Sequence, residues 1–439
     1  MINHGDVTHP RNHRRHTQAQ VAEGDHRSPA QRDRDRIIYT SAFRRLAEVT
    51  QVASPDHSQV FHNRLTHSLQ VAQVGRSLAE KLKKTQPDLV ESAGGIDPDV
   101  VEAACLAHDL GHPPFGHTAE ETLNQLAHKV GGFEGNAQSF RVVTKLAFKS
   151  QRYSGLDLTR ATLAAILKYP WFKGKNRKKL KKWGAYKSEE DDFQFARKSG
   201  PKDHFVRTAE ASLMDWADDV TYSVHDMEDF YRAGRIPMNL LARLRDGHER
   251  RLFFDDVYRR HAGEKNFFPR AELEEAFLNV LAIHWNLDEP YSGTKEQRSN
   301  LRHSTNQLIH RYINCVELTS AGKTVRVDID PEFIKEVTSF KELTWTYVIE
   351  ASALAAQREG QRVVVERLFN VLRDAAMSPK KWGLFPMHYR ERLKDGPSDP
   401  ERIRTVIDLI AGLTEPQAIT TYRQFMGAWP TSSLEEILR

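Results

Sequence analysis

The chain has 439 residues, 39% of them hydrophobic and 28% charged, with a net charge of +5. That length suits one large domain or two ordinary ones, and no apolar run approaches the roughly 20 residues of a helical bilayer span, which excludes a membrane-spanning helix. Only Cys105 and Cys315 are present, which excludes a disulfide framework and fits a reducing cytoplasm, while the mild positive excess permits an anionic ligand without specifying one.

Residues 1–30 are rich in His, Arg and Gln and contain no apolar stretch, so they read as a disordered tail rather than a secretory signal. Helical spacing then dominates. In 68–84, His67, Val71, Val74, Leu78 and Leu82 form one stripe, which turns His67 inward among apolar neighbours. Asp97-Pro98 opens a helix over 100–110, with Cys105 as a small core residue. That helix ends on His108-Asp109, with Gly111 as the residue past its C-cap and Pro113 and Pro114 unable to continue it. His112 and His117 follow on a stiff loop. Thr118-Ala119-Glu120-Glu121 has the pattern of a capping box, placing His117 just ahead of a helix N-terminus, where anions are favoured.

A turn over 133–138 leads to helices at 139–148 and 158–167. In 171–200 the composition shifts to Lys173, Lys175, Arg177, Lys178, Lys179, Lys181 and Lys182, interleaved with Trp171, Trp183 and Tyr186. This reads either as a solvated insertion or as a surface for single-stranded nucleic acid through Lys173–Lys182. In the helix at 206–233, Asp215, Asp218, Tyr222, Asp226 and Asp229 share one face, opposite Leu213, Val220, Val224, Met227 and Tyr231. No Lys or Arg stands at the i+4 positions that would relieve the acids, so a cation or ligand is expected among them. Helical spacing recurs at 271–285, 299–315, 331–355, 361–375 and 400–413, and Val325 to Ile329 alternates like a short strand. There is no tandem repeat, glycine-rich phosphate loop, zinc CxxC pair or G-x-S-x-G elbow. The expected fold is all-α, with a core over 31–235 and a helical C-terminal region over 236–439 packed on it.

His67, His108, Asp109 and one carboxylate of the 215–229 face would make a mixed nitrogen and oxygen site, which suits Fe, Mn, Co, Ni, Zn or Mg without selecting sharply. Such an ion stabilises phosphoryl charge and acidifies a bound water. His112 or His117 could move the proton, with Glu120 three residues on to orient His117.

Several stretches together carry a resemblance: Asp33-Arg34-Asp35-Arg36-Ile37-Ile38, Ala42-Phe43-Arg44-Arg45-Leu46, Asn63-Arg64-Leu65-Thr66-His67-Ser68-Leu69, His108 through His117, Glu134-Gly135-Asn136-Ala137-Gln138 and Ala217-Asp218-Asp219-Val220-Thr221-Tyr222-Ser223. They span 33–229 and resemble the HD superfamily of metal-dependent phosphohydrolases, and within it the dGTP triphosphohydrolase-like (deoxynucleotide triphosphohydrolase) family. The C-terminal half is similar only loosely, as in Ala411-Gly412-Leu413-Thr414-Glu415. The resemblance implies an HD-domain helical bundle with additional C-terminal helices, which hydrolyses a dNTP to a deoxynucleoside plus inorganic triphosphate. It implies His67, His108, Asp109 and Asp218 as ligands of Mg²⁺, Mn²⁺ or Fe²⁺, with Asp219 the neighbouring rival to Asp218. It makes His117 with Glu120 a catalytic pair and His112 a phosphate contact or second proton carrier. It places Gln51, Tyr222 and Asp226 at the deoxyribose and Arg64 at the phosphates. A nucleotide activator and a homo-oligomer are further implications. A lysine common after the last ligand in some relatives is Asp219 here, so cations from elsewhere, the 173–182 run among them, have to supply that charge. Two alternatives stay open: another HD phosphohydrolase acting on a nucleoside monophosphate, cyclic nucleotide or alarmone, and a nucleic-acid-binding regulator with a vestigial HD site.

Overall fold

Asn63 caps the helix Arg64–Thr85 reciprocally: its side chain accepts from the Thr66 N–H while the Thr66 hydroxyl accepts from the Asn63 N–H. The helix buries His67, Val71, Val74, Leu78 and Leu82, the stripe expected from spacing. It packs on Pro98–Ala107, which Asp97 caps and Pro98 opens, and both are crossed by Ala209–Arg232, capped by Thr208. With Pro29–Ile38 and Arg160–Ile166, these helices enclose the larger apolar core, which continues through Lys295–Asn314 to Pro331–Thr344. Each fully buried Leu or Phe there contributes about 1.5–3 kcal/mol. A smaller core forms where Gly116–Leu126 meets Ala353–Ala376 and Asp399–Ala411, with Leu123, Phe133, Leu368, Leu372, Ile407 and Ile410 buried.

The computed structural model describes residues 6, 8–17, 24–51, 62–176, 179–198, 200, 201, 203, 205–243, 247–284, 289–321, 324–350, 353–396 and 398–427. Among them the one sheet is an antiparallel hairpin of Val316–Ala321 with Thr324–Ile329, so the alternating segment acquires a partner strand. No described helix is long and apolar enough to cross a membrane. The fold is mostly helical, as expected.

Several local expectations are corrected. Within 1–30, the described residues are not a free tail. Arg11 is buried, donating to the Gly94 carbonyl at 2.6 Å and pairing with Glu210, and the Arg14 side chain, 3% exposed, lies on Asp33 at 2.5 Å. A guanidinium with matched acceptors is held in place, whatever the surrounding composition. Arg177, Lys178 and Trp285 lie outside the described residues. In the 171–200 segment, Trp171, Trp183 and Tyr186 are buried together against Ala137, and the Trp171 indole donates to the Lys182 carbonyl at 2.7 Å. They are core aromatics and are not free to stack on bases.

The capping box expected at Thr118 does not form. The helix starts at Gly116, with Phe115 as N-cap in the left-handed region at φ 67°, because the Phe115 ring is drawn into the smaller core. His117 therefore lies in the first helical turn. Gly111 is needed for close approach rather than for a left-handed cap, since a Cβ there would sit 2.1 Å from the Ser139 nitrogen. The helix expected at 139–148 is instead Gly135–Arg141, started by the Glu134 side chain accepting from the Ala137 N–H, and it runs into a π turn over Val142–Leu146. The helix expected at 331–355 stops at Thr344, where a second π turn, Trp345–Ile349, follows.

Candidate active site

His108 caps the end of Pro98–Ala107, and the backbone leaves the helix there, so adjacent residues can face one point. Ligand atoms of His67, His108 and Asp109 lie within 4.8 Å of one another, all three buried. Asp218 joins them: its Oδ1 is 3.1 Å from His67 Nε2 and 3.5 Å from His108 Nε2. His108 Nδ1 is 2.6 Å from the Cys105 carbonyl and so carries a proton, which turns Nε2 toward the cluster, where a metal would take the place of a proton. That Nε2 is buried with no hydrogen-bond partner among the described residues.

The electrostatics agree with this orientation. Burial alone would lower the His108 pKa, yet Asp109 and Asp218 lift it to about 9, so the site attracts positive charge strongly. Burial works against the Asp109 carboxylate too, but Arg64, His112 and His108 hold it well below its usual range. Two imidazoles and two carboxylates around an orphaned nitrogen fit a divalent metal. Asp218, rather than Asp219, faces the histidines.

The acidic face of Ala209–Arg232 is relieved by cations from outside the helix. Lys168 Nζ lies 2.8 Å from both Asp215 Oδ1 and Asp218 Oδ2, Arg207 pairs with Asp215, and Lys341 Nζ lies 2.8 Å from Asp219 Oδ1. Spacing within one helix could not reveal these partners.

A cavity of about 420 Å³ opens on the cluster. Arg64 reaches into it, its guanidinium 2.7 Å from Asp109 Oδ2, and His112 Nδ1 lies 2.9 Å from Asp109 Oδ1. His117 also lines it. The His117 ring is exposed to the cavity, and the protein crowded around it outweighs the Glu120 charge and lowers its pKa, so the ring is neutral near pH 7. Glu120 is buried behind the cavity wall, where it accepts from the Gly135 N–H at 3.1 Å and lies 3.3 Å from Lys182 Nζ. Its bonds go to those two groups, and it reaches His117 as a neighbouring negative charge. Gln51 and Tyr222 line the cavity, with Gln51 Oε1 buried and unpartnered among the described residues. Asp226, one turn beyond Tyr222, is buried. Burial, then the Asp229 charge, pushes its carboxyl well above the usual range.

Sequence reasoning gave no site role to several other lining residues, among them Lys168, Tyr169, Lys341, Trp345, Arg358, Gln361 and Glu415. Two side chains, Glu415 and Arg45, make long-range ties beside the cavity. Glu415 Oε1 accepts from the Thr50 N–H at 2.9 Å and the Phe115 N–H at 3.2 Å, while Oε2 accepts from the Thr50 hydroxyl at 2.8 Å. Arg45 donates to the carbonyls of Leu110 at 3.0 Å, His112 at 2.7 Å and Leu413 at 2.9 Å. The histidine loop is thus fastened to the turn at 413–415. The only local signal there is the capping box Thr414 to Gln417, which marks a helix start and not what it faces.

Residues 64–222 match the HD domain, and residues 327–424 match the phosphohydrolase-associated domain. All four clustered groups fall in the first match, and Lys341, Trp345, Arg358 and Glu415 fall in the second, so the cavity lies between the two. A deoxyguanosinetriphosphate triphosphohydrolase-like protein of Streptomyces coelicolor is 40% identical over 425 residues, covering 91% of this chain and 93% of its own. Proteins of the same description from Corynebacterium efficiens and Bifidobacterium longum are 35% identical over 410 residues and 31% identical over 416 residues, each covering 90% of this chain and 90% and 82% of their own. With an HD phosphohydrolase site on one side of the cavity and the associated domain on the other, the chain belongs to the deoxyguanosinetriphosphate triphosphohydrolase-like family.

Proposed function

We propose that the protein hydrolyses deoxynucleoside triphosphates to deoxynucleoside and inorganic triphosphate, with His67, His108, Asp109 and Asp218 holding Mg²⁺, Mn²⁺ or Fe²⁺. The observation that carries this reading is the meeting of a buried acid–imidazole cluster with the cations Arg64, Lys168, Lys182 and Lys341 at one cavity of about 420 Å³. That volume lies within the usual range for a small-molecule site. The bound metal would supply charge neutralisation at the phosphates and acidify a water.

The residues divide the remaining work. Arg64 and His112 bind phosphate oxygens beside Asp109. Tyr222 packs against the sugar and leaves little room for a 2′-hydroxyl. Asp226, its carboxyl pushed well above the usual range by burial and the Asp229 charge, meets the 3′-hydroxyl, and Gln51 brings an unpaired carbonyl oxygen to the sugar. Water attacks the α-phosphorus and the bond from phosphorus to the 5′ oxygen breaks, so that oxygen must gain a proton as the water loses one. His117, neutral at rest and backed by the Glu120 charge, moves that proton.

The test is product analysis with each dNTP and Mg²⁺ or Mn²⁺ by anion-exchange chromatography. Deoxynucleoside and inorganic triphosphate in equal amounts are expected. Pyrophosphate with dNMP, or no product across the panel, overturns the assignment.

A further inference from the structure

Five cations reach the cavity wall: Arg358 donates to the Ile349 carbonyl, and three others are committed to carboxylates that are 21% exposed or less. Arg64 is on Asp109, whose side chain is 5% exposed, Lys168 is shared by Asp215 and Asp218, and Lys182 is shared by Glu120 and the fully enclosed Glu134. Lys341 differs. Its single carboxylate, Asp219, is 34% exposed, and Lys341 itself is 33% exposed. An ion pair that open to water is weak and readily exchanged. Both residues line the cavity, and Asp219 follows Asp218 directly on the helix. Lys341 comes from Pro331–Thr344, so the C-terminal region delivers this charge beside the cluster.

We propose that Lys341 is a phosphate-binding residue of this cavity, parked on Asp219 until the polyphosphate tail of a nucleotide takes it over. This deepens the triphosphohydrolase reading and rests on it. A polyphosphate offers several anionic oxygens where Asp219 offers one carboxylate, and Asp219 can turn to solvent when displaced. Asp219 is then a resting counterion that competes with the ligand, and the two members of the pair have opposite effects on binding. A salt bridge serving only to strut Ala209–Arg232 against Pro331–Thr344 would give effects of the same sign.

The experiment is calorimetric titration of sodium tripolyphosphate into Mn²⁺-loaded wild type, Lys341→Met and Asp219→Asn. Circular dichroism and thermal midpoints establish that each variant is folded. Lys341→Met should weaken binding about tenfold or more, the loss of one charge-assisted contact, and Asp219→Asn should strengthen it about threefold. Unchanged binding in Lys341→Met, parallel weakening in both variants, or no binding to wild type overturns the proposal. If dNTP hydrolysis is absent while the two variants still move tripolyphosphate binding in opposite directions, the substrate assignment fails and the role of Lys341 stands.

Discussion

On the HD wall of the cavity, Arg64, His67, His108, Asp109, His112 and Asp218 hold one another through contacts of 2.7 to 3.5 Å, whereas on the C-terminal wall Trp345 stands 39% exposed and Arg358 donates to the Ile349 carbonyl. The first wall is a mutually neutralising net of buried and half-buried charge, in which moving one member costs the others their partners. The second carries long side chains beside a π turn with fewer ties to one another. The contrast suits a division in which one wall does the chemistry and the other recognises the part of the substrate that does not react.

The harshest way to break the contrast is to remove a member of the net. His108→Ala or Asp109→Asn should lower kcat by roughly 10³-fold, several kcal/mol of lost charge stabilisation, with loss of stoichiometric metal by elemental analysis. His117→Asn should cost roughly 10²-fold in kcat while metal content stays unchanged. A variant at His108 that keeps both activity and metal would remove the cluster from the chemistry.

Acid tests the same wall more gently. His225, on the helix that carries Asp218, is buried, and burial drops its pKa to about 3 from 6.5. The unfolded chain therefore takes up a proton below pH 6.5 that the folded chain refuses. Stability is fully present above that pH and is lost as pH falls toward 3, by about 1.4 kcal/mol per unit, or about 2 kcal/mol at pH 5. Urea midpoints measured from pH 7.5 to 5 should fall more steeply for wild type than for His225→Gln. Equal slopes would place the acid sensitivity elsewhere.

The smallest effects belong to the C-terminal wall. Trp345→Ala and Arg358→Ala should raise KM several-fold and shift the ratio of kcat/KM between purine and pyrimidine dNTPs, with kcat nearly unchanged, as expected for contacts worth about 1–2 kcal/mol. A fall in kcat as large as that of His117→Asn would erase the distinction between the walls.

What the linear chain disclosed follows the range of the physics involved. The His67 stripe, the Asp97-Pro98 start and the His108-Asp109 stop are local matters of helical period and capping, and each stands where spacing placed it. The cluster was legible because its residue types are demanding, and the acidic row on 215–229 correctly asked for cations. Which cations could not be read: Lys168, Arg207 and Lys341 are far along the chain or in unremarkable contexts, and pairing at a distance leaves no periodic trace. Phe115 shows a second limit. A respectable capping box at Thr118 yielded to burial of one aromatic ring in a core completed by residues nearly 300 positions later. In 171–200, composition groups lysines with tryptophans, whereas burial separates them, sending the rings inward and Lys182 to Glu120 and Glu134.

The fastening of the histidine loop by Arg45 and Glu415 has a consequence for how the enzyme ages and fails. A chain cut ahead of Leu413 retains every proposed metal ligand, yet it surrenders the carbonyl that Arg45 grips and the carboxylate that holds Thr50 and Phe115. Proteolysis or warming that loosens the last two helices would thus silence turnover while most of the secondary structure survives, so the far end of the polypeptide acts as the safety catch of a reaction centre built near its beginning.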